Sequence, residues 1–166
     1  MMIKKLVLAM GLLGLFSVCK AQGNTKPAMP QGKLLRLEYS FGGMRMPVYG
    51  DFDLKRNAET GENDFRFLHY NKEVFTKGVP DSVFTAARRI IEEERMYEYA
   101  SSYVLPPEVE KGMLDGFSWR FEACFENGER ISSHGRHVMP DGKGLRKIER
   151  LLHDAAKATI KDEPTE

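Results

Sequence analysis

Phe117-Ser118-Trp119-Arg120-Phe121-Glu122-Ala123-Cys124-Phe125-Glu126, followed by Asn127-Gly128, decides the fold. Apolar and polar residues alternate without a break, the period of a strand with one dry face and one wet face. Phe117, Trp119, Phe121, Ala123 and Phe125 share the dry side. Ser118, Arg120, Glu122, Cys124 and Glu126 share the other, so it should face water. Asn127-Gly128 signals a hairpin. A two-residue turn would put Arg130 and Ser132 on the aromatic side. A three-residue loop with Gly128 in the left-handed conformation puts Ile131 there instead, and burying Ile131 is favourable where burying Arg130 is not. The second register is the expected one.

Upstream, the same period recurs. Leu35, Leu37, Tyr39 and Phe41 alternate with polar neighbours over 34–41, and Met46, Val48, Gly50, Phe52 and Leu54 do so over 46–55. Phe65–Tyr70 and Glu73–Lys77 read as a hairpin closed by Asn71-Lys72. After Val79-Pro80 the spacing changes to a helical one: Val83, Phe84, Ala87, Ile90 and Ile91 form a stripe, with Asp81 or Ser82 as the cap and an end near Glu98. Tyr99–Gly116 is a long connection. After Pro140-Asp141, Leu145, Ile148, Leu152, Ala155 and Thr159 mark a last helix. The expected fold is α+β: an antiparallel sheet of about six strands with two main helices on one face. The order strand-strand-helix occurs twice, as a repeated unit or by coincidence.

The first 21 residues differ from the rest. A short basic start, the apolar run Leu6–Val18, and small residues at Cys19 and Ala21 match a secretory signal peptide cut before Gln22. The alternative is a lipoprotein anchored through Cys19, although Phe16 and Val18 depart from the usual residues before such a cysteine. The expected organisation is a signal peptide over 1–21, a flexible Pro/Gly-rich tether over 22–33, one domain over 34–160 and a frayed tail over 161–166. The location is then periplasmic or secreted, and the mature chain has no transmembrane span.

The chain of 166 residues is 42% apolar and 30% charged, with a net charge of +1. Without Lys4, Lys5 and Lys20, the chain from Gln22 is slightly acidic, which argues against a nucleic-acid partner. Two cysteines allow neither a disulfide framework nor a four-cysteine zinc site. After cleavage Cys124 is a lone thiol on the wet face, expected to be covered by the tether or by the Tyr99–Gly116 connection.

Trp119-Arg120-Phe121, the hairpin-tip Gly128, Gly135, Pro140 and the leucines of the last helix form a pattern. It resembles that of small exported bacterial proteins of unknown function, over the second half of the chain. The landmarks are fold-setting residues, so the resemblance implies no activity and no catalytic residue.

Motifs with chemistry are scarce. Gly116-Phe117-Ser118-Trp119-Arg120 lacks the second glycine of a nucleophile elbow. Asp51, Asp53 and Glu62 occupy calcium-loop places, but Lys55 and Arg56 put positive charge where the cation would sit. Gly142-Lys143-Gly144 is too short for a phosphate loop. Ser133-His134-Gly135-Arg136-His137 is the densest polar stretch. Its imidazoles could share a metal only if Gly135 bulges, because they have opposite strand parity. Anion or glycan contact through Arg136 and His137 is the other option there. Tyr97, Tyr99 and Tyr103 suit recognition, with rigid rings and polar tips. The expected function is thus a non-catalytic binding module of the cell envelope, with no cofactor and no metal. Its candidate contacts are His134, Arg136, His137, Tyr99 and Tyr103, and its partner an envelope protein, a peptide or a glycan. The alternative is a small exported hydrolase or metal-dependent enzyme built near His134 and His137.

Overall fold

A computed structural model describes residues 27–43, 49–57, 59–110 and 116–161. The expectations for the signal segment over 1–21, for residues 22–26 and for most of the tail lie outside them. In chain order the elements are β1 (Leu34–Gly42), β2 (Tyr49–Arg56), β3 (Asn63–His69), β4 (Lys72–Lys77), α1 (Asp81–Glu93), a 3-10 turn at Met96–Glu98, β5 (Ser102–Val104), α2 (Pro107–Glu110), β6 (Ser118–Phe125), β7 (Arg130–Arg136) and α3 (Gly144–Lys161). The fold is mixed α+β. Among the described residues its sheet has seven strands in the order β4-β3-β2-β1-β6-β7-β5, antiparallel except where β5 runs parallel to β7. The strand beyond the expected six or so is β5. Three residues inside a connection carry no period, and the strand exists because β7 lies alongside it.

The side of the sheet bearing Leu37, Tyr39, Phe52, Leu54, Phe65, Phe67, Trp119, Phe121 and Phe125 packs in one core with Phe84, Ala87 and Ile91 of α1 and Leu145, Ile148, Leu152 and Ala156 of α3. The α3 stripe turns slightly from the expected one: Ala156 is buried, while Ala155 and Thr159 are half-buried. β6 lies between β1 and β7, so its aromatic row runs through the interior of the sheet. Ala123 stands opposite Ile131 and Cys124 opposite Arg130. The Gly128 amide donates to the Phe125 carbonyl, and Gly128 has φ +83°. The three-residue loop is therefore the one adopted, with Ile131 buried and Arg130 exposed.

Elsewhere bulges overrule simple alternation. Leu34 is buried and Leu35 exposed, the reverse of the expected facing, because the β1–β6 register shifts between Leu34 and Arg36. The β2–β3 register shifts between Gly50 and Asp53, with Asp51 at φ +47°. Tyr49 thereby meets the core beside Phe67, the side Phe52 and Leu54 also face. The β3–β4 turn is Tyr70-Asn71, one residue earlier than expected. Both of its residues have positive φ, as the tight hairpin turn requires.

Helix α1 stops at Glu93, short of Glu98, because Arg95 adopts the left-handed conformation and the chain tightens into the 3-10 turn that buries Met96. No side chain caps its start. The Asp81 carboxylate instead accepts from Arg56 at 2.6 Å and from Asn63 at 2.8 Å, joining α1 to β2 and β3. The described part of the expected tether, 27–33, is docked. Pro30 is buried, and the Gln31 amide donates to Glu129 at 3.0 Å. The Glu126 amide donates to the Lys33 carbonyl at 2.9 Å, and Arg88 donates to the Gly32 carbonyl at 3.0 Å. A Pro/Gly-rich composition removes local preference, but it does not prevent these tertiary bonds.

Candidate functional site

The five residues singled out from the sequence fall into three places. His134 is exposed on β7, opposite Arg120 of β6 and Ser102 of β5. It belongs to the sheet face away from the helices. Arg136 and His137 meet Glu110 of α2, whose Oε1 is 3.1 Å from Arg136 Nε and 3.7 Å from His137 Nε2. Gly135 does not bulge, since it stays in register with Trp119. His137 leaves the strand at φ +61° and turns its ring against Phe117 and the backbone of Gly116. The imidazoles are thus not brought together. Among the described residues, no three His, Cys, Asp or Glu side chains gather as a metal site would require.

Tyr99 and Tyr103 form the third place. Their rings meet edge to face at 6.4 Å, and Tyr103 leans on Trp119 at 5.7 Å. The Tyr103 hydroxyl accepts from the Ala100 amide at 3.1 Å. The Tyr99 hydroxyl lies against Gly144 at the start of α3, and burial, with Tyr103 and Glu94 adding, pushes its phenol up to about 12. It therefore stays neutral and keeps its O–H.

Tyr99 also lines a groove of about 330 Å³ with Tyr97, Ser101, Arg130 and Ser132, and with Pro27, Ala28 and Pro30 of the N-terminal segment. β5 pairs with β7 only from His134 onward. The His134 amide donates outward to the Ser101 carbonyl at 3.2 Å. In an antiparallel ladder the pointing of backbone groups alternates, so Ser132 and Arg130 aim their N–H and C=O groups outward too. The groove is therefore a stretch of sheet edge walled by two tyrosines and two prolines. Tyr97 and Tyr99 are legible in the sequence as recognition residues. Ser101, Arg130 and the prolines are not, because no spacing links them before the chain folds.

The face away from the helices is a lattice of ion pairs. Asp53 takes two 2.9 Å hydrogen bonds from Arg36 and one of 3.2 Å from Arg66, and Arg36 also reaches Glu38 at 2.9 Å. Burial alone would raise the Asp53 carboxyl, but the grip of Arg36, with Arg66 beside it, holds it below its usual value. Glu122, expected in water, is instead buried between Arg120 at 2.9 Å and Arg130 at 3.3 Å. Its carboxyl is held low by the Arg120 bond first and by Arg130 as well, against the opposing effect of burial. The long arginine stems cover the acid. Cys124 lies in the same lattice, half-buried, with Sγ 3.8 Å from Glu122 and with Arg36 and Arg130 opposite it on the flanking strands. Burial, then Glu122, pushes its thiol up, which favours the protonated form. The expected cover by the tether or the long connection is thus not what these contacts show: they are with Cys124's own neighbours on the sheet, and the thiol stays half-buried.

No family model, curated protein or solved structure matches the chain. Among the described residues, no helix is long and apolar enough to cross a membrane.

Proposed function

We propose that the protein is an exported, non-catalytic binding module of the cell envelope, and that it takes an extended peptide segment along the groove beside β7. One observation carries the reading: the outward backbone groups of Arg130 and Ser132 line a groove bounded by Tyr97 and Tyr99. An extended peptide adds main-chain hydrogen bonds to such an edge, and flanking rings select its side chains. The ion pairs of the open face neutralise one another, which favours the groove over that face as the contact. The order of β3–β4–α1 and of β6–β7–α3 supports a domain of two related strand-strand-helix units, the groove belonging to the second.

The test is selection of displayed random peptides on the purified chain, followed by mapping of amide signals. Enriched peptides are expected to shift the amides of Arg130 and Ser132. Ser132→Pro, which removes an outward N–H, is expected to weaken binding at least about tenfold, the loss of one or two main-chain bonds. Absence of enrichment, or shifts confined to Arg36, Arg66 and Arg120, would overturn the groove as the site.

Export rests on the first 21 residues alone. Protein recovered from cells is expected to begin at Gln22 by intact mass. A diacylglycerol-modified Cys19 as first residue would replace secretion with anchoring. Retention of Met1 in a cytosolic fraction would sink both.

A further inference from the structure

The other end of the sheet has an edge of different character. β4 is the terminal strand, and among the described residues no strand lies beyond it. Phe75 at its centre is 57% exposed, on the face away from the helices, beside Arg66. The direction of its backbone groups follows from one bond: the Gly78 amide donates inward to the Asn63 carbonyl of β3 at 2.9 Å. By alternation Thr76, Val74 and Lys72 also point inward, while Lys77, Phe75 and Glu73 point their N–H and C=O groups outward.

We infer that β4 pairs antiparallel with β4 of a second copy of this chain about a two-fold axis at Phe75. Outward residues must face outward residues to exchange hydrogen bonds, which removes every register that would set Phe75 opposite Val74. Of those that remain, centring on Glu73 sets two like charges opposite each other. Centring on Val74 sets Glu73 against Phe75, and centring on Thr76 sets Lys77 against Phe75. Centring on Phe75 sets the two phenylalanines together and flanks them with two Glu73–Lys77 pairs, one on each side. Lys72 then lies opposite Gly78, which has no side chain to clash or repel. Lysines commonly keep edge strands apart. Here the acid four residues before Lys77 makes the same lysine attractive in this one register. Glu73 is only loosely held within its own chain, 3.7 Å from Arg66, both side chains being exposed.

On the helix side of the seam Val74 would meet Thr76 of the other copy. Beside it runs a groove of about 460 Å³ lined by Val79, Pro80, Val83 and Ala155. An isologous contact of this kind closes on itself, so it gives a dimer and not a fibre. A seam of one short strand per copy is smaller than a standard interface, which sets the dimer in the weak, concentration-dependent class.

Sedimentation of the chain as recovered from cells, over a range of concentrations, tests this. The expected result is a monomer–dimer equilibrium. E73K and K77E are each expected to weaken it at least about tenfold, by turning two attractive pairs into repulsive ones. The double variant E73K/K77E restores both pairs with reversed sign and is expected to recover dimerisation to within a few fold. Both side chains are exposed, and circular dichroism checks that every variant is folded. A chain that stays monomeric up to about 1 mM, where only about 4 kcal/mol of association is needed, overturns the pairing. So does a dimer that either single swap leaves unchanged, or one that the double swap fails to restore.

Discussion

Truncating Phe121 to alanine is expected to cost about 3–5 kcal/mol of folding stability. Phe121 is fully buried on β6, with Tyr39 of β1 opposite it on one side and Ser133 of β7 on the other. Strands flank it and helices cover it, so the space left by the ring cannot collapse cheaply. Trp119→Ala belongs in the same range and adds a polar loss. The Trp119 indole N–H donates to the Val138 carbonyl at 2.7 Å, and its removal leaves that carbonyl without this partner. Denaturant titration measures both. Trp119 is the only tryptophan, so its fluorescence follows Phe121→Ala, while circular dichroism must follow Trp119→Ala. A cost below about 1 kcal/mol for Phe121→Ala would be incompatible with a large aromatic core position.

Gly135→Ala is expected to destabilise by about 3 kcal/mol or more, summing overpacking with a disturbed buried hydrogen bond. A Cβ at Gly135 would lie 2.3 Å from Trp119 Nε1, 2.6 Å from its Cε2 and 2.7 Å from the Val138 carbonyl oxygen. The indole cannot swing aside without breaking its bond to that same carbonyl. Gly128→Ala provides the contrast. Nothing lies within 4 Å of a Cβ there, and only its φ of +83° resists the change. Its cost is that of one left-handed residue, about 1–2 kcal/mol. One glycine is needed for space and the other for conformation. Thermal and denaturant unfolding of the two variants would separate these causes. Equal small losses in both would contradict the contact between Gly135 and the indole.

Much of the β6–β7 hairpin was legible in the sequence, and parts of the candidate site were not. Tyr97 and Tyr99 stood out because tyrosines near a long connection carry a chemical signal of their own. Arg130 and Ser132 looked like ordinary outward residues of a strand. They become groove residues because β5 stops pairing at His134, a fact about a neighbouring segment. His134 and His137 are close in sequence but of opposite strand parity, so only a bulge at Gly135 would join them. The regular register of Gly135 and the left-handed turn at His137 send them to different surroundings. Glu110, which Arg136 and His137 share, sits in a four-residue helix with no period to announce it.

By itself the sequence determined which side of β6 is dry, that Asn127-Gly128 closes a three-residue loop, and that two helices follow two pairs of strands. These are local matters: the strand period is two, and the glycine at the loop tip tolerates positive φ where other residues resist it. The tertiary structure alone decided that Leu34 and not Leu35 is buried, that Ser102–Val104 is a strand, that Glu122 is buried between two arginines, and which edges of the sheet have no strand beyond them among the described residues. Each depends on what lies beside a strand. Bulges, parallel edge pairing and cross-strand ion pairs are formed with residues far away in the chain, and no local pattern encodes which residues those are.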